Sequence, residues 1–441
     1  MANPYLPNWE YIPDGEPRVF GDRIYVYGSH DRVGSDCFCD YKLKVWSAPL
    51  NNLNQWVCHG DAFKTRSKSG ENIDVDYSGK ELYAPDVVEK DGKYYLYAYI
   101  LESKGCVAVS DRPEGPFEFI STYKYDIKDH YDNGTFIDPG VLVDDDGRVY
   151  VYCGFLGSYM CELNPENMYE VINETYLTDI IPVEEPFEFF EACSPRKIGN
   201  TYYLIYSPKN GNRLAYATAD SPRGPFTYRG YIVSNGEDYP GGNDHGSIVN
   251  IKGQWYIFYH RMTDGSITSR RACVEKINVL PDGSIPTVEM TSLGFEESLN
   301  PYNITPAETA CVLKGNEDLM ITEYDIFTRP IINIKEGSIF GWKYFDFGED
   351  YTKDDYMYLA LNIIPRGCYG KVQVFVDEVK DENLIGELDF NKESKVVKGK
   401  VKKLTGRHAI YMKVVNGYKN WCKDLFANRD MFDFLSFVFM K

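Results

Sequence analysis

DDGRVYVYC, residues 145–153, is one of five copies of a single phrase, the others being FGDRIYVYG (20–28), KDGKYYLYA (90–98), IGNTYYLIY (198–206) and IKGQWYIFY (251–259). In each copy Gly or Asp-Gly supplies the positive φ that a tight hairpin demands. The residues that follow alternate aromatic with β-branched or aliphatic side chains, so the phrase reads strand, turn, strand. With Tyr25, Tyr95, Tyr150, Tyr203 and Tyr256 taken as equivalent, the copies lie 70, 55, 53 and 53 residues apart. A period near 50 marks a propeller or a solenoid. A second phrase, SDRPEGPFEF (110–119) and ADSPRGPFTY (219–228), recurs after 109 residues, close to two periods. Its Gly-Pro suits an outer edge strand that need not donate to a ladder.

No helical periodicity separates the copies. The repeat therefore predicts an all-β chain with four antiparallel strands per unit, a five-bladed β-propeller over residues 1–300. The alternative, a two-sheet sandwich with look-alike hairpins, would seldom hold its period within two residues over three intervals. After LGFEESLNPYNITPA (293–307) the phrase stops, and short alternating runs such as KVQVFVD (371–377), HAIYMKVV (408–415) and DFLSFVFM (433–440) predict a β-sandwich domain over 306–441, with 293–306 as linker.

The charge balance, 47 basic against 66 acidic residues for a net of −19, contains no long basic run. Nucleic acid and anionic membranes are thereby disfavoured as partners. No stretch of about 18 apolar residues occurs, and MANPYLPNWEYIPDGEP lacks the basic and apolar regions of an export signal, so a cytoplasmic protein is expected. The 11 cysteines lack the spacing of a disulfide framework and read as reduced thiols. Cys37 and Cys39 form a C-x-C with no second pair, which speaks against zinc. Oligomeric state is not legible.

In a propeller the strand before each hairpin turn is innermost, and its first residues face the axial tunnel. Asp14 stands 11 residues before Tyr25, Asp138 12 before Tyr150, Glu191 12 before Tyr203 and His245 11 before Tyr256, while the second unit offers Tyr83 at the 12-residue offset. Three carboxylates at one level cannot titrate independently: each charge raises its neighbours' proton affinity, and burial adds to the effect. One ionised base and one protonated acid result, the division of labour that acetal hydrolysis needs. Inner strands on different sides of a tunnel suit the separation of about 6.5–9.5 Å that leaves room for water in an inverting reaction. His245 has three readings: it orients that water, it belongs to a hydrated axial metal, or it is hydrogen-bonded in the tunnel wall.

NPYLPNWEYIPDGEPRVFGDRIYVYGSHD (3–31), LYAPDVVEKDGKYYLY (82–97), FIDPGVLVDDDGRVYVY (136–152) and FFEACSPRKIGNTYYLIY (189–206) together resemble glycoside hydrolase family 43, the five-bladed propeller arabinofuranosidases and β-xylosidases. The resemblance implies that Asp14 is the general base, Glu191 the general acid, and Asp138 the carboxylate that tunes the acid's pKa and position. NDHGSIV (243–249) and SITSRRACVEK (266–276) resemble the family's axial histidine and a substrate-contacting arginine, implying those roles for His245 and Arg270. Two departures stand out. The usual Asp-Pro is here Asp14-Gly15-Glu16-Pro17, which makes Glu16 a rival base, and Tyr83 replaces a frequent Trp among the substrate contacts.

The implied activity is inverting release of terminal α-L-arabinofuranose or β-D-xylose from xylan- or arabinan-derived oligosaccharides. No cofactor is required, and the metal to consider is an axial Ca²⁺ reached from His245 through water. The tail, with GWKYFDFGED (341–350), KVQVFVDEVKDENLIGELDF (371–390) and GRHAIYMKVV (406–415), is similar to carbohydrate-binding module family 6. Trp342 and Trp421 are its candidates for sugar stacking, against a purely structural sandwich. Two other functions compete: a non-catalytic sugar-binding propeller, which loss of a carboxylate would have signalled, and a retaining fructan-type hydrolase.

Overall fold

The computed structural model describes residues 2–102, 105–127, 136–209, 211–235, 238–242, 244–349 and 354–441. Among them the chain is nearly all-β. Its helices are the six-residue Trp421–Phe426 and two single 3₁₀ turns.

Five antiparallel sheets follow one another from residue 16 to residue 277. The first runs β1 (Glu16–Phe20), β2 (Arg23–Gly28), β3 (Lys42–Pro49), β4 (Val57–Lys64), and the second β5 (Leu82–Lys90), β6 (Lys93–Ile100), β7 (Gly105–Ser110), β8 (Glu118–Thr122). The third holds β9 (Gly140–Val143), β10 (Val149–Gly154), β11 (Ser158–Leu163) and β12 (Val171–Thr178). The fourth holds β13 (Phe189–Ile198), β14 (Thr201–Pro208), β15 (Arg213–Ala219) and β16 (Thr227–Ser234). The fifth has three strands, β17 (Ser247–Ile251), β18 (Gln254–Thr263) and β19 (Ser266–Ile277), rather than the expected four. The N-terminal segment lies along its outer strand instead: Tyr5 N–H donates to the Ala272 carbonyl at 3.1 Å, and Asn3 brackets Val274 through both side-chain atoms.

Each repeated phrase supplies the second strand of its sheet, and both faces of that strand are buried. Ile24 and Val26 of β2 pack on the fifth sheet, whereas Tyr25 and Tyr27 pack on the second. Likewise Val149, Val151 and Cys153 of β10 face the second sheet, and Tyr150 and Tyr152 the fourth. Strands covered on both faces carry apolar residues continuously rather than in alternation with polar ones, which explains the uninterrupted VYVYC. The buried clusters link sheets one to two, two to three, three to four, four to five and five back to one. In this order first strands of neighbouring sheets touch one another. Arg18 of β1 pairs with Asp86 of β5 at 3.0 Å and donates to the Val141 carbonyl of β9 at 2.9 Å. Arg196 of β13 reaches Glu16 of β1 at 2.7 Å and the Ile248 carbonyl of β17 at 2.9 Å.

Residues 305–440 form two further antiparallel sheets. One orders Val312–Lys314, Ile339–Asp346, Arg407–Asn416, Gly370–Val376 and Leu384–Phe390; the other orders Met320–Ile321, Ile331–Ile332, Phe432–Met440, Tyr356–Pro365 and Val396–Lys402. They share one apolar cluster. Trp342 is fully buried in it against Phe434 and Phe437, so that expected sugar platform is a core residue. Trp421 is 73% exposed at the start of the short helix. The expected linker is held down: Leu299 pairs with Tyr344 and Asp346 at 2.8 and 3.0 Å, and Thr305–Pro306 joins the Phe432–Met440 strand.

Candidate active site

Asp14, Asp138 and His245 each lie two residues ahead of a first strand, and Glu191 and Tyr83 sit near the start of theirs. All five, with Arg270 of β19, line one cavity of about 300 Å³. Phe38, Cys39, Tyr99, Leu101, Ile137 and Phe155 complete the wall. The chain turns sharply to present the carboxylates: Asp14 and Asp138 have φ of 57° and 49°, and Ala192, after Glu191, has 63°. This left-handed region is one that Asp tolerates better than most residues.

Asp14 is buried, with a guanidinium and two imidazoles beside it. Arg270 Nη1 donates to its Oδ1 at 2.9 Å, and His245 Nδ1 and His260 Nδ1 lie 3.7 and 3.5 Å from the same oxygen. Burial pushes the Asp14 carboxyl up, but Arg270, then His245 and His260, more than reverse this and hold it below its ordinary value. Arg270 is itself fixed by Asp31, which accepts from Nε at 3.0 Å and from Nη2 at 2.9 Å. Asp138 behaves in the opposite way. Burial first, then the charges of Glu191 and Asp14, drive its carboxyl well above the usual range. The Asp138–Glu191 pair therefore binds a proton more tightly than a lone carboxyl would, and that proton belongs to the pair. A carboxyl held low and a carboxyl pair held high thus face one space.

Glu16, the rival base, is drawn away from the cavity into its pair with Arg196. Tyr83 stacks on Tyr99 with ring centroids 6.1 Å apart, and burial raises its phenol. His245 is 5% exposed, with Nδ1 toward Asp14 and Nε2 4.0 Å from Glu16. Among the described residues no three His, Cys, Asp or Glu side chains converge as a metal cluster. His245 is therefore not part of a cluster of direct protein ligands.

Three participants escaped the reading of the sequence. His260 accepts the Asp14 N–H at 3.3 Å, Asp31 anchors Arg270, and Asp244 accepts the N–H groups of His245 and His260, both at 3.0 Å. Burial pushes the Asp244 carboxyl up to about 8. Asp31 ends the quoted stretch 3–31 and Asp244 precedes His245, so proximity to a motif was the available signal. His260 lies beyond its hairpin turn, where offsets counted back from Tyr256 do not reach.

The model of the family "Glycosyl hydrolases family 43" matches residues 11–285. A xylosidase/arabinosidase of Thermoclostridium stercorarium is 40% identical over 78% of this chain and 82% of its own, and a β-xylosidase of Xylanibacter ruminicola is 31% identical over 66% of this chain and 100% of its own. Among solved structures, a family 43 β-xylosidase/α-arabinofuranosidase from a compost metagenome, in complex with xylotriose and in a calcium-free form, aligns with TM-score 0.55 and 30% identity over 65% of this chain and 97% of its own. An arabinoxylan arabinofuranohydrolase from Bacillus subtilis aligns over 100% of this chain and 97% of its own with TM-score 0.56, a likeness of fold at 23% identity.

Proposed function

The chain belongs to glycosyl hydrolase family 43 and is a glycosidase, and from that premise we propose that it releases terminal D-xylose or L-arabinose from short xylan- or arabinan-derived oligosaccharides with inversion at the anomeric carbon. One observation carries the mechanism: Asp14, Asp138 and Glu191 line a single cavity with opposed proton affinities. Asp14, kept ionised by Arg270, takes a proton from water as that water attacks the anomeric carbon. Glu191 delivers the retained proton to the departing glycosidic oxygen, and Asp138 keeps that proton on the pair until it is needed. Tyr83 and the neighbouring aromatics face the apolar side of the sugar ring. Arg270, already committed to two carboxylates, acts mainly through Asp14.

The proposed architecture is a five-bladed propeller over residues 1–300 and a β-sandwich over 306–441, supported by the cyclic burial of the five sheets and by the shared core of the last two. Asp14 and Glu191 sit on sheets one and four, which are not neighbours in that cycle, as a water-filled gap between base and acid requires. The 11 free thiols support a reducing compartment.

A panel of nitrophenyl α-L-arabinofuranoside and β-D-xyloside, with proton NMR of the sugar first released, tests the reading. We expect turnover with the opposite anomer appearing first. Net retention would favour the fructan-type chemistry, and no turnover on any pentoside a sugar-binding role.

A further inference from the structure

The β18–β19 hairpin is longer than its counterparts, and its far end meets the C-terminal region. Its turn, Asp264-Gly265, has φ of 54° and 58°. Asp264 Oδ1 accepts the Thr322 hydroxyl at 2.7 Å and the Glu323 N–H at 2.8 Å. Arg270 lies only two places from that turn in the pairing, because it sits opposite Met262.

The Glu323 side chain points the other way. Its Oε2 accepts the Tyr11 hydroxyl at 3.1 Å and Arg329 Nη2 at 2.8 Å, while Arg329 Nε donates to the Tyr11 oxygen at 3.3 Å. Tyr11 precedes Asp14 by three residues, and its carbonyl accepts the N–H of Asp31, the residue that clamps Arg270. One residue of the C-terminal region thus holds both chain segments that bring the Asp14–Arg270 ion pair together, one through its backbone and one through its carboxylate.

We infer that Glu323 is a positioning residue for the base. By tying Tyr11 to the Asp264 turn, it fixes the 2.9 Å contact between Arg270 and Asp14 and so keeps Asp14 ionised. The inference rests on Asp14 being the base. Without Glu323 one of the ties between the two segments is lost, the Arg270–Asp14 contact loosens, and the Asp14 carboxyl rises, because burial is then less opposed.

The test is the pH profile of kcat/KM for full-length Glu323→Ala and the milder Glu323→Gln on the aryl pentoside that the parent hydrolyses best. The acid limb, where the base must lose its proton, should move to higher pH by about half a unit or more, with kcat/KM restored toward the parent's at higher pH. Tyr11→Phe should move it in the same direction, and the Glu323→Ala/Tyr11→Phe pair should be non-additive. Lys343→Met removes a different contact between the two regions, the 2.9 Å pair with Glu289. It should lower Tm and leave the limb in place. An unmoved limb in both Glu323 variants, with only Tm reduced, overturns the inference. If Asp14→Asn keeps parental activity and its acid limb, the assignment of the base has failed instead.

Discussion

Asp14 and Asp138 are the same residue type in the same left-handed backbone, one buried and one half-buried, yet their carboxyls move in opposite directions. The difference is the neighbour: a guanidinium at 2.9 Å for Asp14, a second carboxylate for Asp138. Two substitutions follow from that. Asp14→Asn and Glu191→Gln each remove one proton-transfer partner while keeping shape, and each should lower kcat by about 10²–10⁴-fold with Tm little changed. Steady-state kinetics with a thermal melt checks both, and parental kcat in either variant removes that residue from the chemistry. Asp138→Asn removes the repulsion that keeps the proton on the acid pair. The alkaline limb of kcat/KM, which reports loss of that proton, should therefore shift to lower pH, and an unmoved limb would show that Asp138 does not tune the acid.

At the scale of elements, the first strands approach so closely that side chains must be absent at set points. Gly140 of β9 faces the Cys193 carbonyl of β13, and a Cβ there would run into that oxygen. Gly140→Ala should thus cost about 1–3 kcal/mol by forcing backbone apart. Gly253, in the turn before β18 with φ of 92°, has open space around it. Its Ala variant should lose only about 1 kcal/mol, from backbone strain. Urea denaturation orders the two, and an equal loss would mean that the strand approach is looser than the contacts imply. The repeat was legible here because each second strand is apolar on both faces, whereas the glycines needed for close approach look like any other turn glycine in the sequence.

Over the whole molecule, the two regions are laced together at several places. Leu313 N–H meets the Asp238 carbonyl at 2.8 Å, Ser292 N–H the Lys343 carbonyl at 2.8 Å, and Arg329 reaches Tyr11. Backbone bonds and buried side-chain hydrogen bonds of this kind couple unfolding. Scanning calorimetry of the full chain should therefore show one transition with matching calorimetric and van't Hoff enthalpies. Two resolved transitions would mean that the regions melt independently. The tail also shows where reading stopped. Trp342 and Trp421 are equivalent as letters, yet one is fully buried and the other 73% exposed, because burial depends on which strand faces which, and no local pattern in the tail encodes that.

Periodicity by itself determined the five hairpins and the all-β class and pointed to Asp14, Asp138, Glu191 and His245 by their matching offsets, since hairpin turns and strand alternation are local and repeat with the chain. The tertiary structure alone decided which carboxylate faces the cavity. Glu16 and Asp14 are two residues apart and chemically alike, but one is drawn to Arg196 and the other to Arg270, partners 180 and 256 residues away. Electrostatic environment is set by distance in space, and the chain closes those distances only when its fourth and fifth sheets come round to the first.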